Sequence, residues 1–138
     1  MAIPLVSETD LYLTSVVNLD ELIRDHSIHS EEKFTILHCQ FTARASNNNG
    51  GWINMTPKSY IFETAYSEWL QVINILFVPV EPEKYYFSEP GQVKKFTMIF
   101  PAIPKNWKTF NFLEDCDHGF FLFTIPTNNS GIYYLNFV

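Results

Sequence analysis

"KKFTMIFPAIPKNWKTFNFLED", residues 94–115, decides the fold. In its first half Phe96, Met98 and Phe100 alternate with Thr97 and Ile99. That is the period-2 pattern of a strand that sends every second side chain into a core. Pro101 and Pro104 stop it, because proline has no N–H to give to a ladder. Alternation resumes with Phe110 and Phe112. A strand, a rigid crossover and a further strand is how a β-sandwich hands its chain from one sheet to the facing one.

Working outward, "FTILHCQFTARA" (34–45) has one apolar face, Leu37, Cys39, Phe41 and Ala43, and one mixed face, Ile36, His38, Gln40, Thr42 and Arg44. It reads as a strand with one dry side. "SNNNGG" (46–51) is a turn, since Asn and Gly tolerate positive φ. "WINMT" and "SYIFE" read as short strands around Pro57, and "EWLQVINILFVPV" as one longer strand ending at Pro79. "PVEPEKYYFSEPG" is a proline-punctuated connection with an aromatic centre. "GFFLFTIP" and "GIYYLNFV" are two more strands, with "TNNSG" between them as a hairpin turn. Near the start, "LYLTSVVNL" (11–19) has strand character, and Asn18 would cap a helical turn over "NLDELIRDH". The expected fold is one domain over residues 1–138: an antiparallel, immunoglobulin-like β-sandwich of about seven or eight strands with one short N-terminal helical turn. Its two layers, zipped by rings and branched side chains, would leave no cleft for chemistry.

Composition narrows the partners. The chain has 138 residues, 46% of them apolar and 17% aromatic, which is globular and strand-favouring. Lys+Arg 9 against Asp+Glu 15 gives a net charge of −6, and Lys94-Lys95 is the sole cationic pair, so neither nucleic acid nor an anionic membrane surface fits. The start "MAIPLVSETDLYLTSVV" has no basic residue and is broken by Pro4, Glu8 and Asp10, unlike a signal peptide or membrane helix. The expected compartment is the cytoplasm, or the periplasm or exterior if a targeting segment has been removed.

Four pieces, "GGWINMTPKSYI", "VPVEPEKYYFSEPG", "FTMIFPAIP" and "FNFLED", together resemble an accessory β-sandwich domain of bacteria in the Bacteroides and Flavobacterium group. The resemblance spans roughly residues 34 to 125. It implies a domain that is usually secreted or periplasmic, often precedes a thioredoxin-like domain, and carries no established activity. The present sequence shows neither an export signal nor a second domain, which points to a stand-alone unit that works by binding.

Reactive residues are few. His38-Cys39 and Cys116-Asp117-His118 offer the residue types of a zinc site, but His38 and Cys39 are neighbours on a strand and point to opposite faces. Cys39, Cys116 and His118 are the most that could converge, and structural zinc normally uses tighter paired spacing. Cys39, Trp52 and Cys116 follow the order of the antibody-domain Cys…Trp…Cys set, yet Glu114 stands where its tyrosine would be, so a disulfide is not expected. "EDCD" (114–117) lacks the rhythm of a calcium loop. Cys116 beside His118 is a poor nucleophile among Glu114, Asp115 and Asp117. No metal, cofactor or catalytic set is expected, and the chain does not read as an enzyme.

Surface rings remain. Trp52, Tyr60, Trp69, Tyr85, Tyr86, Trp107, Tyr133 and Tyr134 exceed what one core of this size readily buries with every polar tip satisfied. Trp107, in the proline-rich crossover, is expected to be partly exposed, and Trp107, Tyr85, Tyr86 and Trp52 are the candidate contact residues. The expected function is a non-enzymatic accessory module that binds a protein partner or itself through edge strands and exposed rings. The alternative is a carbohydrate or small-ligand module using Trp107 and Tyr85-Tyr86.

Overall fold

The computed structural model describes residues 34–44 and 51–137, which form β1 (Phe34–Thr42), β2 (Trp52–Ile53), β3 (Ser59–Phe62), β4 (Trp69–Gln71), β5 (Asn74–Leu76), β6 (Tyr85–Tyr86), β7 (Val93–Pro101), β8 (Thr109–Glu114), β9 (Phe121–Pro126) and β10 (Ile132–Phe137). The expected first strand at 11–19, the helical turn after Asn18 and most of the Asn-rich turn at 46–51 lie outside the described residues.

Two four-stranded sheets make a β-sandwich. The first runs β10-β1-β7-β5, the second β4-β3-β8-β9, and β2 and β6 form a separate two-stranded ribbon. Register follows the apolar alternation. Leu37 pairs with Met98 and Cys39 with Phe96 along β1 and β7, while Leu37, Cys39 and Phe41 pair with Tyr133, Leu135 and Phe137 of β10. All of these side chains are buried. A one-residue slip would turn the whole set outward, so burial itself specifies the register. The rings of β8 meet those of the first sheet edge-on, Phe112 at 6.4 Å from Phe100 and 5.6 Å from Phe137, and Phe110 at 4.9 Å from Tyr133. Each fully buried Phe contributes roughly 1.5–3 kcal/mol.

The crossover expected in the opening stretch is present: β7 lies in the first sheet and β8 in the second. The Ile103 amide donates to Thr35 Oγ1 (3.0 Å), tying the crossover to β1.

Other expectations are corrected. The run 68–80 is two strands in different sheets. The Val72 amide donates to Ser59 of the second sheet (2.9 Å), and the next amide, Ile73, to Ile99 of the first (2.6 Å). One peptide unit therefore changes sheets. β9 and β10 are not a hairpin, since β9 pairs with β8 and β10 lies parallel to β1. "TNNSG" is an arch between sheets, held by Asn128 Oδ1, which accepts from the Ser130 and Gly131 amides (3.1 and 2.9 Å). Gly131 sits at φ 75°, and a Cβ there would approach the Phe34 carbonyl to 2.8 Å. The sandwich sheets hold eight described strands, in line with the seven or eight expected; the parallel β1–β10 pair departs from the all-antiparallel expectation, and the ribbon adds two short strands outside the sheets. β1, finally, is dry on both sides, because His38 and Gln40 are buried as fully as Leu37 and Cys39.

A candidate binding cleft and an aromatic sheet face

β8 ends in Glu114, whose side chain is buried. Its two carboxylate oxygens accept from the amides of Thr56 (3.0 Å) and Phe120 (3.1 Å). The backbone continues the clamp: Glu114 donates to Phe120 (2.8 Å), Cys116 to Glu114 (3.0 Å), and Asp115 to Lys58 (2.8 Å). The β8–β9 loop is therefore fixed from both sides. Gly119 is required there, since a Cβ would run into the Glu114 carbonyl.

Above this clamp opens a cleft of about 520 Å³, within the range of small-ligand sites. Phe41, Ile53 and Phe120 supply its apolar part; Trp52, Arg44, Asn54, Asp117 and His118 line the rest, with Cys116 and Glu114. This overturns the expectation that tight layers leave no cleft. The β8–β9 loop, the ribbon and the end of β1 line the space together.

Electrostatics here is set by burial. Burial raises Glu114 above its ordinary value; the Phe120 and Thr56 amides oppose the shift and nearby Glu81 adds to it. Glu81 is itself held by the Thr56 hydroxyl, which donates to its Oε1 (2.8 Å). The Cys116 thiol is raised by burial first, then by Glu114, Glu81, Asp117 and Asp115. A thiol held up in this way is a poor nucleophile. Cys39 is enclosed in the core, its thiol pushed well up by burial, whereas Cys116 is exposed, and both are free. The Cys39–Cys116–His118 set therefore does not assemble. Among the described residues no three His, Cys, Asp or Glu side chains are grouped to hold a metal ion.

Three of the four candidate contact residues come together on the ribbon, where Trp52 pairs with Tyr86 and Ile53 with Tyr85. Trp52 is 49% exposed and Tyr86 65%. Lys84 Nζ lies 4.4 Å from the centre of the Trp52 ring, and Lys94 Nζ 4.4 Å from that of Tyr85. Such cation–π contacts hold the rings in place. Trp107 is not with them. It is 5% exposed, packed in the core, with its amide turned back onto the Pro104 carbonyl (3.1 Å) and its own carbonyl accepting from Thr127 Oγ1 (2.9 Å). The turn at Pro104 and the Thr127 contact hold this segment against the sandwich, with the indole inward.

A second surface went unread in the sequence. Across the outward face of the second sheet, one row pairs Gln71, Tyr60, Leu113 and Phe121, and the next pairs Trp69, Phe62 and Asn111. Phe62 stacks on Trp69 at 4.0 Å and 4°, and Tyr60 meets Trp69 edge-on at 5.7 Å. Phe121 and Phe123 touch at 5.0 Å. Trp69, Phe121 and Phe123 are 40%, 56% and 59% exposed. The available signal was that "SYIF" and "FFLF" are apolar at both parities, which a strand with one wet face does not need.

Among the described residues no helix is long and apolar enough to cross a membrane. Comparison with family models, with curated proteins and with solved structures finds no match for this chain.

Proposed function

We propose that this chain is a non-enzymatic interaction module that docks an uncharged, apolar protein surface against the outward face of its second sheet. The carrying observation is the exposure of Phe121 and Phe123 on the edge strand β9, in line with the Trp69–Phe62 stack across paired rows whose described residues carry no charge. Three half-exposed rings leave roughly 300 Å² of aromatic surface open, the size of patch that is often functional in a monomer. Aromatic residues dominate interface hot spots, and an uncovered edge strand adds free backbone donors and acceptors. The resemblance read in the sequence, whose motifs fall on β2, β3, β6, β7 and β8, carries no established activity and is in keeping with a unit that works by binding.

The test compares the wild type with Phe121→Ser/Phe123→Ser by sedimentation equilibrium, alone and mixed with the purified product of the neighbouring gene. The wild type is expected to self-associate or to bind that product, and the variant to remain folded, monomeric and unbound. A wild type that stays monomeric in both settings, or a variant that associates equally well, overturns the proposal.

A further inference from the structure

We infer that the cleft between the β8–β9 loop and the ribbon is a saccharide site, in which a neutral pyranose stacks on Trp52. The site is separate from the aromatic sheet face, so either can stand without the other.

Its lining selects the ligand class. Asp117 brings negative charge to the cleft, next to Asp115 in the loop, and this opposes an anion. Arg44 lines the cleft and Lys84 caps one face of the Trp52 ring, and these oppose a cation. A wholly apolar ligand would strip water from Asp117 and His118 without replacing their hydrogen bonds. What fits is uncharged, with an apolar face and hydroxyls that both donate and accept. A pyranose has these properties: its C–H face packs on an indole, and its hydroxyls can give to Asp117 and exchange hydrogen bonds with the His118 imidazole.

The cleft is also preorganised. Asn54 Nδ2 donates to the Glu83 carbonyl (2.8 Å), and the Phe87 amide to that of Gly51 (2.9 Å), fastening the ribbon that carries Trp52. The buried Glu114 carboxylate fastens the opposite wall at Phe120. Two fixed walls spare the ligand the ordering that weakens binding to loops. Trp52 is half exposed although Phe41, Ile53 and Phe120 beside it offer an apolar bed. An indole held at a cleft margin by a lysine is a platform.

The experiment uses a printed array of neutral, sialylated and sulfated oligosaccharides, followed by titration calorimetry with the best-bound neutral one. The wild type is expected to bind, and Trp52→Ala to weaken binding about tenfold or more, the loss of one well-packed ring contact. Asp117→Asn should weaken it less, and Tyr66→Ala, at a fully exposed ring in another loop, should leave it unchanged. Circular dichroism checks that each variant folds. No neutral glycan bound, affinity unaffected by Trp52→Ala, or a preference for sialylated or sulfated glycans would each overturn the assignment.

Discussion

Along the outward face of the first sheet, His38, Gln40 and Thr97 are almost wholly removed from water, whereas along the outward face of the second, Trp69, Phe121 and Phe123 stand in it. Residue chemistry alone would have assigned the two faces the other way round. Part of the difference lies in local pairing. His38 Nδ1 is 3.1 Å from Thr97 Oγ1, and the imidazole stacks on Tyr134 at 5.3 Å, so His38 and Thr97 find partners inside the protein, while Gln40 on the same face does not among the described residues. The rings of the second face contact each other and leave their outer surfaces open, which is what the proposed docking role requires.

The strongest way to break this contrast is to place the same charge on each face. His38→Asp should cost about 4 kcal/mol, because an ionised carboxylate would be buried where an imidazole was bonded. Phe123→Asp should change stability by no more than about 0.5 kcal/mol, as surface substitutions do. Urea denaturation of both variants measures the difference, and equal losses would erase the distinction between the faces.

Next in size is the response to acid. Burial lowers the pKa of His38 from 6.5 to about 4. Between those values the unfolded chain binds a proton that the folded chain refuses, so the contribution is complete above pH 6.5 and is lost as pH falls toward 4. The loss should be roughly 2–3 kcal/mol. Glu114 acts in the opposite sense. Its raised pKa means that the folded chain keeps a proton the unfolded chain releases, so stability declines as pH rises above 4.5. Thermal melts from pH 4 to 7 should show acid destabilisation that His38→Gln flattens and Glu114→Gln steepens.

The smallest effect is a gain. Gln40 is buried with both side-chain polar atoms lacking a hydrogen-bond partner among the described residues. Gln40→Leu should stabilise by about 1 kcal/mol, read as an upward shift of the denaturation midpoint. A loss would mean that the polar character of this face is required where it stands.

How far the sequence foretold this arrangement depends on the range over which each feature is determined. Alternation at Phe96, Met98 and Phe100 and at Phe110 and Phe112 is local, and it located β7, β8 and the crossover between them. Pairing direction is not local: nothing in "GIYYLNFV" distinguishes a hairpin partner of β9 from a parallel partner of β1. "TNNSG" has the composition of a tight turn in either arrangement, because Asn128 caps the arch with the same side-chain hydrogen bonds a hairpin would use. The break at Val72–Ile73 carries no proline or glycine, since a sheet change there needs only that successive amides find carbonyls on different sheets. The contact residues divide the same way. Trp52, Tyr85 and Tyr86 belong to a set of rings too large for one core to bury, and the ribbon exposes these three together. Trp107 met the same criterion and is buried, because prolines fix a bend without fixing which side of it faces the core.

Hydroxyl-radical footprinting with mass spectrometry tests the contrast most directly, since it reports side-chain access to solvent residue by residue. In dilute monomer Trp69, Phe121 and Phe123 should be labelled strongly and His38 hardly at all, and labelling of the three rings should fall when the protein associates. His38 labelled as readily as Phe123, or rings already protected in the monomer, would contradict the account.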